Sequence, residues 1–166
     1  GSIFIFRGTY PDRDMRYNIY ADRLEFKVHD SLYVIAPDRI IRKVVMGDHT
    51  LIVDSYEVKG KLVSTFFLRL DSGKISLMAK KIITFKDRQI GKPIQGDIPA
   101  RYVTMPDTYY VKLGIGSLIK IESVKKLIEG LPDHRQEMNE FAQREKTSAN
   151  KPKELISFIQ HYNSLP

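Results

Sequence analysis

The sequence predicts an α+β protein. An antiparallel, curved or barrel-like β-meander spans residues 3–121, and two to three C-terminal helices follow over residues 123–163, all within a single domain spanning 1–166. Three observations carry this. Apolar residues alternate with period two as far as about residue 113, the mark of strands with one buried face. Turn signals interrupt the alternation about every eight to twelve residues, too often to leave room for crossover helices. After Ser123 the apolar period becomes helical.

The elements follow in order. Ile3-Phe4-Ile5-Phe6 opens the chain as a strand. Met15, Tyr17 and Ile19 alternate with Arg16 and Asn18, and Leu24, Phe26 and Val28 alternate with Glu25 and Lys27. Leu62, Ser64, Phe66, Leu68 and Leu70 share one face of the next long run, and Ile75, Leu77, Ala79, Ile83 and Phe85 share one face of the run after it. Ala21-Asp22, His29-Asp30-Ser31, Pro37-Asp38, Gly47-Asp48 and Lys59-Gly60 supply the turn chemistry between runs. Asp71-Ser72-Gly73 joins two long runs as a three-residue hairpin loop, with glycine where positive φ is required. Asp87, Gly91, Pro93, Gly96, Asp97 and Pro99 make residues 86–100 a long loop, a candidate flap. Strands resume at Ala100–Thr104 and Tyr109–Leu113, and Gly114-Ile115-Gly116 turns the chain into a short strand at Leu118–Ile121.

In the tail, Ser123 caps a helix over Val124–Glu129 that Gly130 ends. Pro132 suits the start of a second helix, with Met138, Phe141 and Ala142 as its apolar stripe. A third helix begins at Pro152, with Leu155, Ile156, Ile159 and Tyr162 on its apolar face and Phe158 at the edge. Such narrow stripes require packing on the sheet or on each other.

Composition narrows the function classes. The chain has no cysteine, which removes disulfides, thiol nucleophiles and thiolate metal sites. Its formal charge of +7 favours acidic partners, but the basic residues are spread from Arg7 to Lys153, with no run longer than Lys80-Lys81 or Lys125-Lys126. That scatter disfavours nucleic acid as the partner. No stretch reaches the roughly 20 apolar residues that a transmembrane helix needs. The chain starts at Gly1-Ser2 without methionine, which reads as a trimmed start from which a targeting segment would be missing.

No catalytic signature stands out. His29 and His49 sit beside aspartates in turns, His134 precedes Glu137 by three residues, and His161 lies near the terminus. Two ligands without a third make no metal site, so no metal or cofactor is expected. Acidic pairs such as Asp12/Asp14 and Asp22/Glu25 carry no sequence sign of burial. Gly114-Ile115-Gly116-Ser117 lacks the Gly-Lys-Ser/Thr ending of a phosphate loop and reads as a turn.

The nine tyrosines are the remaining signal. Tyr17, Tyr20, Tyr33, Tyr56, Tyr102, Tyr109 and Tyr110 fall on strands or their ends, where they either pack across strands or line a pocket. Tyr17, Tyr20, Tyr109 and Tyr110 are the candidate ligand-binding residues.

Several segments together resemble a family of uncharacterised exported proteins of Gram-negative bacteria, a domain of unknown function. They are Arg16-Tyr17-Asn18-Ile19-Tyr20-Ala21-Asp22-Arg23-Leu24-Glu25, Phe66 to Lys81 around the Asp-Ser-Gly hairpin, Tyr109-Tyr110, and the tail from Ser123 to its Tyr162-Asn163 close. The resemblance implies a secretion signal and a place in the periplasm or outer envelope. It brings no activity with it. The leading expectation is a non-enzymatic envelope protein that binds a ligand or protein partner on its concave sheet face. The alternatives are a hydrolase with a dispersed site, using His29, His49 or His134 with a carboxylate, and a nucleic-acid-binding module.

Overall fold

The structure, a computed structural model, describes residues 1–11, 14–91 and 96–166. Asp12 and Pro93, named above, lie outside the described residues. In chain order the strands are β1 (Ser2–Ile5), β2 (Gly8–Tyr10), β3 (Met15–Asn18), β4 (Arg23–Val28), β5 (Ser31–Ile35), β6 (Ile41–Met46), β7 (His49–Val58), β8 (Lys61–Asp71), β9 (Ile75–Lys86), β10 (Arg101–Leu113) and β11 (Leu118–Lys120). The helices α1 (Val124–Glu129), α2 (Arg135–Arg144) and α3 (Pro152–Ser164) follow. Strand-rich chain first and helical tail second is the order that the change of period predicts.

Eight strands form one antiparallel sheet in the order β11-β10-β9-β8-β7-β6-β1-β2, and β3-β4-β5 form a second. The large sheet does not close. A barrel would require β11 to pair with β2, and these two three-residue strands are instead the outer edges of the order. The chain leaves the meander after β2 to build the small sheet, so the run of hairpins that closure needs is interrupted. The two strands expected at 100–104 and 109–113 are one strand. Its register shifts between Met105 and Thr108, where Pro106 has no N–H to give the ladder.

The alternation of buried and exposed residues fails in the central strands because both faces are covered. Phe66 and Phe67 are consecutive and both buried, as are Leu77, Met78 and Ala79. On one face, Ile75, Leu77, Ala79, Tyr109 and Val111 pack beneath the helices. The small sheet covers the same face further along, where Leu24 packs with Ile3, Ile41, Val44, Leu51 and Phe66. Leu68 touches both clusters. The opposite face carries Phe67, Met78 and Tyr110, with Ile52, Tyr56 and Leu118 against them.

The helices follow local chemistry. The hydroxyl of Ser123 accepts from the Lys126 N–H and caps α1. α2 starts later than Pro132 suggests, because His134 takes a left-handed conformation (φ 51°) and becomes the N-cap. In α3, Phe158 is central to the buried stripe and Ile156 is only partly buried. The set Leu155, Phe158, Ile159 and Tyr162 has the i, i+3, i+4, i+7 spacing of one helix face.

Asn163 fixes the end of α3 to the β8–β9 hairpin. Its Oδ1 accepts from the Ile75 N–H at 2.9 Å, and its Nδ2 donates to the Ile75 carbonyl at 3.0 Å and to Asp71 at 3.2 Å. Gly73 does not take the positive φ expected of it in the hairpin loop; it is needed for space, since a Cβ there would lie 2.5 Å from the Asn163 side chain. Asn163→Ala removes these bonds and strands two backbone groups of the buried Ile75. Urea unfolding is expected to show a loss of about 2–3 kcal/mol. A loss within experimental error would show that apolar packing alone seats α3.

Candidate functional site

The site begins where the large sheet splits. β8 pairs with β7 from Thr50/Arg69 to Val58/Lys61, and β9 pairs with β10 from Ile75/Leu113 to Lys86/Arg101. β8 and β9 pair only from Asp71/Leu77 to Leu68/Ala79. Beyond that point two ribbons, β7–β8 and β9–β10, separate, and the β3–β4 turn enters the gap.

Asp22 occupies this fork. It sits at φ 49°, a left-handed conformation that aspartate tolerates better than most residues. Its Oδ1 accepts from the Tyr17 hydroxyl at 2.6 Å, from Lys80 Nζ at 3.1 Å and from the Phe66 N–H at 3.4 Å. Its Oδ2 accepts from the Thr65 hydroxyl, which also meets Lys80 Nζ. The carboxylate thus takes a backbone donor of β8 that has lost its strand partner, and neutralises a lysine of β9 that is only 8% exposed.

The charges respond to this confinement. Burial pushes the Lys80 ammonium below its ordinary pKa, and the Asp22 carboxylate opposes that shift. Burial and the Asp22 hydrogen bond push the Tyr17 phenol upward. Tyr56 is raised as well, by burial and then by the Asp22 charge. A threonine hydroxyl beside a lysine of lowered pKa has the ingredients of a nucleophile and its base. Here the hydroxyl donates to Asp22 and Thr65 is 1% exposed, so the group is locked and no substrate can reach it.

A second polar cluster braces the inserted hairpin. The buried Glu25 accepts from Arg16 at 2.6 Å, Asn18 at 2.9 Å and Arg23 at 3.1 Å. The bonds from Asn18 and Arg16, with a smaller part from Arg23, hold its carboxyl down at about 2.

A cavity of about 460 Å³ lies between β7, the β10–β11 edge and α1. Tyr110, Leu118, Ile121, Leu127 and Leu131 supply apolar walls, and Glu57, Lys120, Glu122 and Lys126 bring charge to it. Tyr56 also lines it. Tyr56, Phe67 and Tyr110 meet edge to face in a closed triangle, with centroids 5.3–5.8 Å apart.

The four tyrosines singled out from sequence do not share one site. Tyr17 belongs to the fork. Tyr20 is exposed and stands edge-on to Tyr102 at 4.9 Å. Tyr109 and Tyr110 are successive residues of one strand and point to opposite faces, Tyr109 under the helices and Tyr110 into the cavity. The histidines lie in four different places. His29 is in a left-handed turn, His49 begins β7, His134 Nδ1 lies 3.4 Å from Glu137, and His161 stacks on Phe141 at 4.2 Å. Among the described residues no group of three His, Cys, Asp or Glu side chains could hold a metal. Thr65, Lys80, Tyr56, Leu118 and Leu127 are the site residues that sequence reasoning missed. The one available signal was polar Lys80 following three residues of an apolar run. Comparison with protein-family models, with curated proteins and with solved structures finds no match for this chain.

Two outcomes test the fork and its brace. Asp22→Ala leaves Lys80 buried without its counter-charge and should cost about 3–5 kcal/mol in chemical unfolding, and adding Lys80→Met should restore much of that loss. If the double variant is no more stable than Asp22→Ala, the charge pair is not what holds the fork. Glu25 has a folded pKa near 2 against an ordinary 4.5, so its contribution is complete above about pH 4.5 and fades as pH falls toward 2. The melting-temperature gap between wild type and Glu25→Gln should therefore be widest at neutral pH and shrink across that window. A gap independent of pH would contradict the assignment.

Proposed function

We propose that this is a non-enzymatic binding protein of the cell envelope, which holds a small ligand with an apolar body in the cavity between the sheet and α1. The observation that carries this reading is the cavity itself. Its volume and its mostly apolar walls, with a few charged groups, are those of small-molecule sites.

Bending of the sheet supports the same reading. Lys112 of β10 pairs at 2.5 Å with Asp54 of β7, although two strands stand between them in the sheet order. β11 also lies against β7, across three intervening strands. A flat sheet with strands about 4.8 Å apart could not make either contact. A curved sheet whose inner face forms a trough accounts for both. Lys126 is engaged by Glu122, while Lys120 forms no salt bridge among the described residues. An anionic head on the ligand would meet Lys120. Placement in the envelope rests on the resemblance of Arg16 to Glu25 and of the hairpin and tail segments to exported proteins.

1-Anilinonaphthalene-8-sulfonate, an apolar ring system with one negative charge, probes the site. Saturable binding with one dye per chain is expected, along with a rise in melting temperature. At a hundredfold excess over Kd the stabilisation should be about 2.7 kcal/mol. Leu118→Trp fills the cavity and should abolish this binding while the protein stays folded. Equal dye binding by wild type and Leu118→Trp would rule the cavity out.

A further inference from the structure

The β9–β10 ribbon continues beyond the fork and beyond the cover of helices and small sheet. Its last strand pairs are Phe85/Tyr102 and Lys86/Arg101, and a two-way hydrogen-bonded bridge between Gln89 and Ile98 keeps the same register further out. That register puts Ile98 on the face of Tyr102. The side chains here are apolar and open to solvent: Tyr102 is 62% exposed, Ile90 87%, and Phe85 and Ile98 nearly half. Lys86 and Arg101, the next strand pair, project from the opposite face of the ribbon to Phe85 and Tyr102, and neither forms a salt bridge among the described residues. Exposed apolar groups concentrated at one tip call for an explanation that scattered ones do not.

We propose that this tip docks on the surface of an anionic phospholipid bilayer. Tyr102, Phe85, Ile90 and Ile98 enter the interfacial region, and Lys86 and Arg101 meet lipid phosphates. Three observations favour a bilayer over other partners. Lys86 and Arg101, at the same end of the ribbon as the rings and without a salt bridge among the described residues, complement an anionic surface, as does the net charge of +7. Aromatic rings next to aliphatic side chains and basic residues are the composition of membrane-interface anchors. The rings are also mutually tilted, Tyr20 to Tyr102 by 73° and Phe85 to Tyr102 by 60°, so they offer no flat platform for stacked bases or sugar rings. Tyr20, carried by the hairpin that Asp22 anchors, braces Tyr102 from below, so the tip is held out by the body of the protein.

Co-sedimentation of the full chain with vesicles tests this, using equal parts phosphatidylglycerol and phosphatidylcholine against phosphatidylcholine alone. Binding is expected to the anionic vesicles only, weakening as salt is raised. Lys86→Gln and Arg101→Gln should each weaken it about fivefold. Phe85→Ser/Tyr102→Ser should remove it, and Ile90→Ser, at a side chain too exposed to affect folding, should weaken it alone. Leu118→Trp should bind vesicles like wild type, which separates this proposal from the ligand cavity. Absence of binding to anionic vesicles, unchanged binding by the Ser variants, or tip-dependent binding to single-stranded oligonucleotides in place of vesicles would overturn it.

Discussion

A carboxylate at the point where a sheet divides has to answer two needs at once, and Asp22 answers both. Separating β8 from β9 strips hydrogen-bond partners from the strand edges facing the gap, and it draws Lys80 inward without solvent. Either consequence alone would be costly in a buried setting. One side chain from a third strand pair accepts the Phe66 N–H and the Lys80 ammonium together, and the Thr65 and Tyr17 hydroxyls complete its shell. The small sheet is thereby pinned in register to the large one, since Tyr17 and Asp22 lie at the two ends of a single tight turn. Glu25, drawn on by Arg16, Asn18 and Arg23, keeps that turn and its strands from shearing.

The division of the sheet also shapes what lies on either side of it. The β7–β8 ribbon and the β10–β11 edge approach each other around Phe67, Met78 and Tyr110, and α1 roofs the space left between them. The β9–β10 ribbon, freed from β8, runs outward and ends in exposed rings. Cavity and tip are therefore two results of one geometric event. They remain chemically separate, one a partly open, mostly apolar hollow with charged residues in its lining, the other exposed with basic residues.

Much of this architecture was legible in the sequence. Period-two runs, the place of the β8–β9 hairpin, the Ser123 cap and the change of period before α1 each encode local geometry, and local geometry survives folding, although Gly73 in that hairpin answers to distant Asn163 and not to a positive φ. What was not legible depends on pairings far apart in the chain. Phe66-Phe67 and Leu77-Met78-Ala79 are buried consecutively because both faces of the sheet are covered, a fact no single strand records. The split between β8 and β9 leaves no local mark beyond the polar Lys80 at the end of an apolar run, and Thr65 looked like an ordinary strand residue. The tyrosines drew attention as a class, yet adjacent Tyr109 and Tyr110 part to opposite faces by the geometry of the strand. The barrel-like alternative failed because a meander seen in sequence does not reveal that β3–β5 leave the sheet.

Three stretches of the sequence form the joints of the fold. Arg16 to Glu25 forms the inserted hairpin and its two polar clusters, Phe66 to Lys81 forms the fork and the hairpin that receives α3, and Asn163 is the peg that holds it. These residues are tied to their types by geometry: a left-handed turn with a carboxylate, a cavity-free glycine at Gly73, an amide that can donate and accept at once. Lys120 at the cavity and Phe85, Lys86, Arg101 and Tyr102 of the tip lie outside those joints, whereas the cavity's Tyr56, Tyr110 and Leu118 also pack in the core around Phe67. Change at Lys120 or at the tip alters what the surface meets without disturbing those joints, so charge preference is set where the framework places little demand, while the apolar lining is bound to the packing of the core.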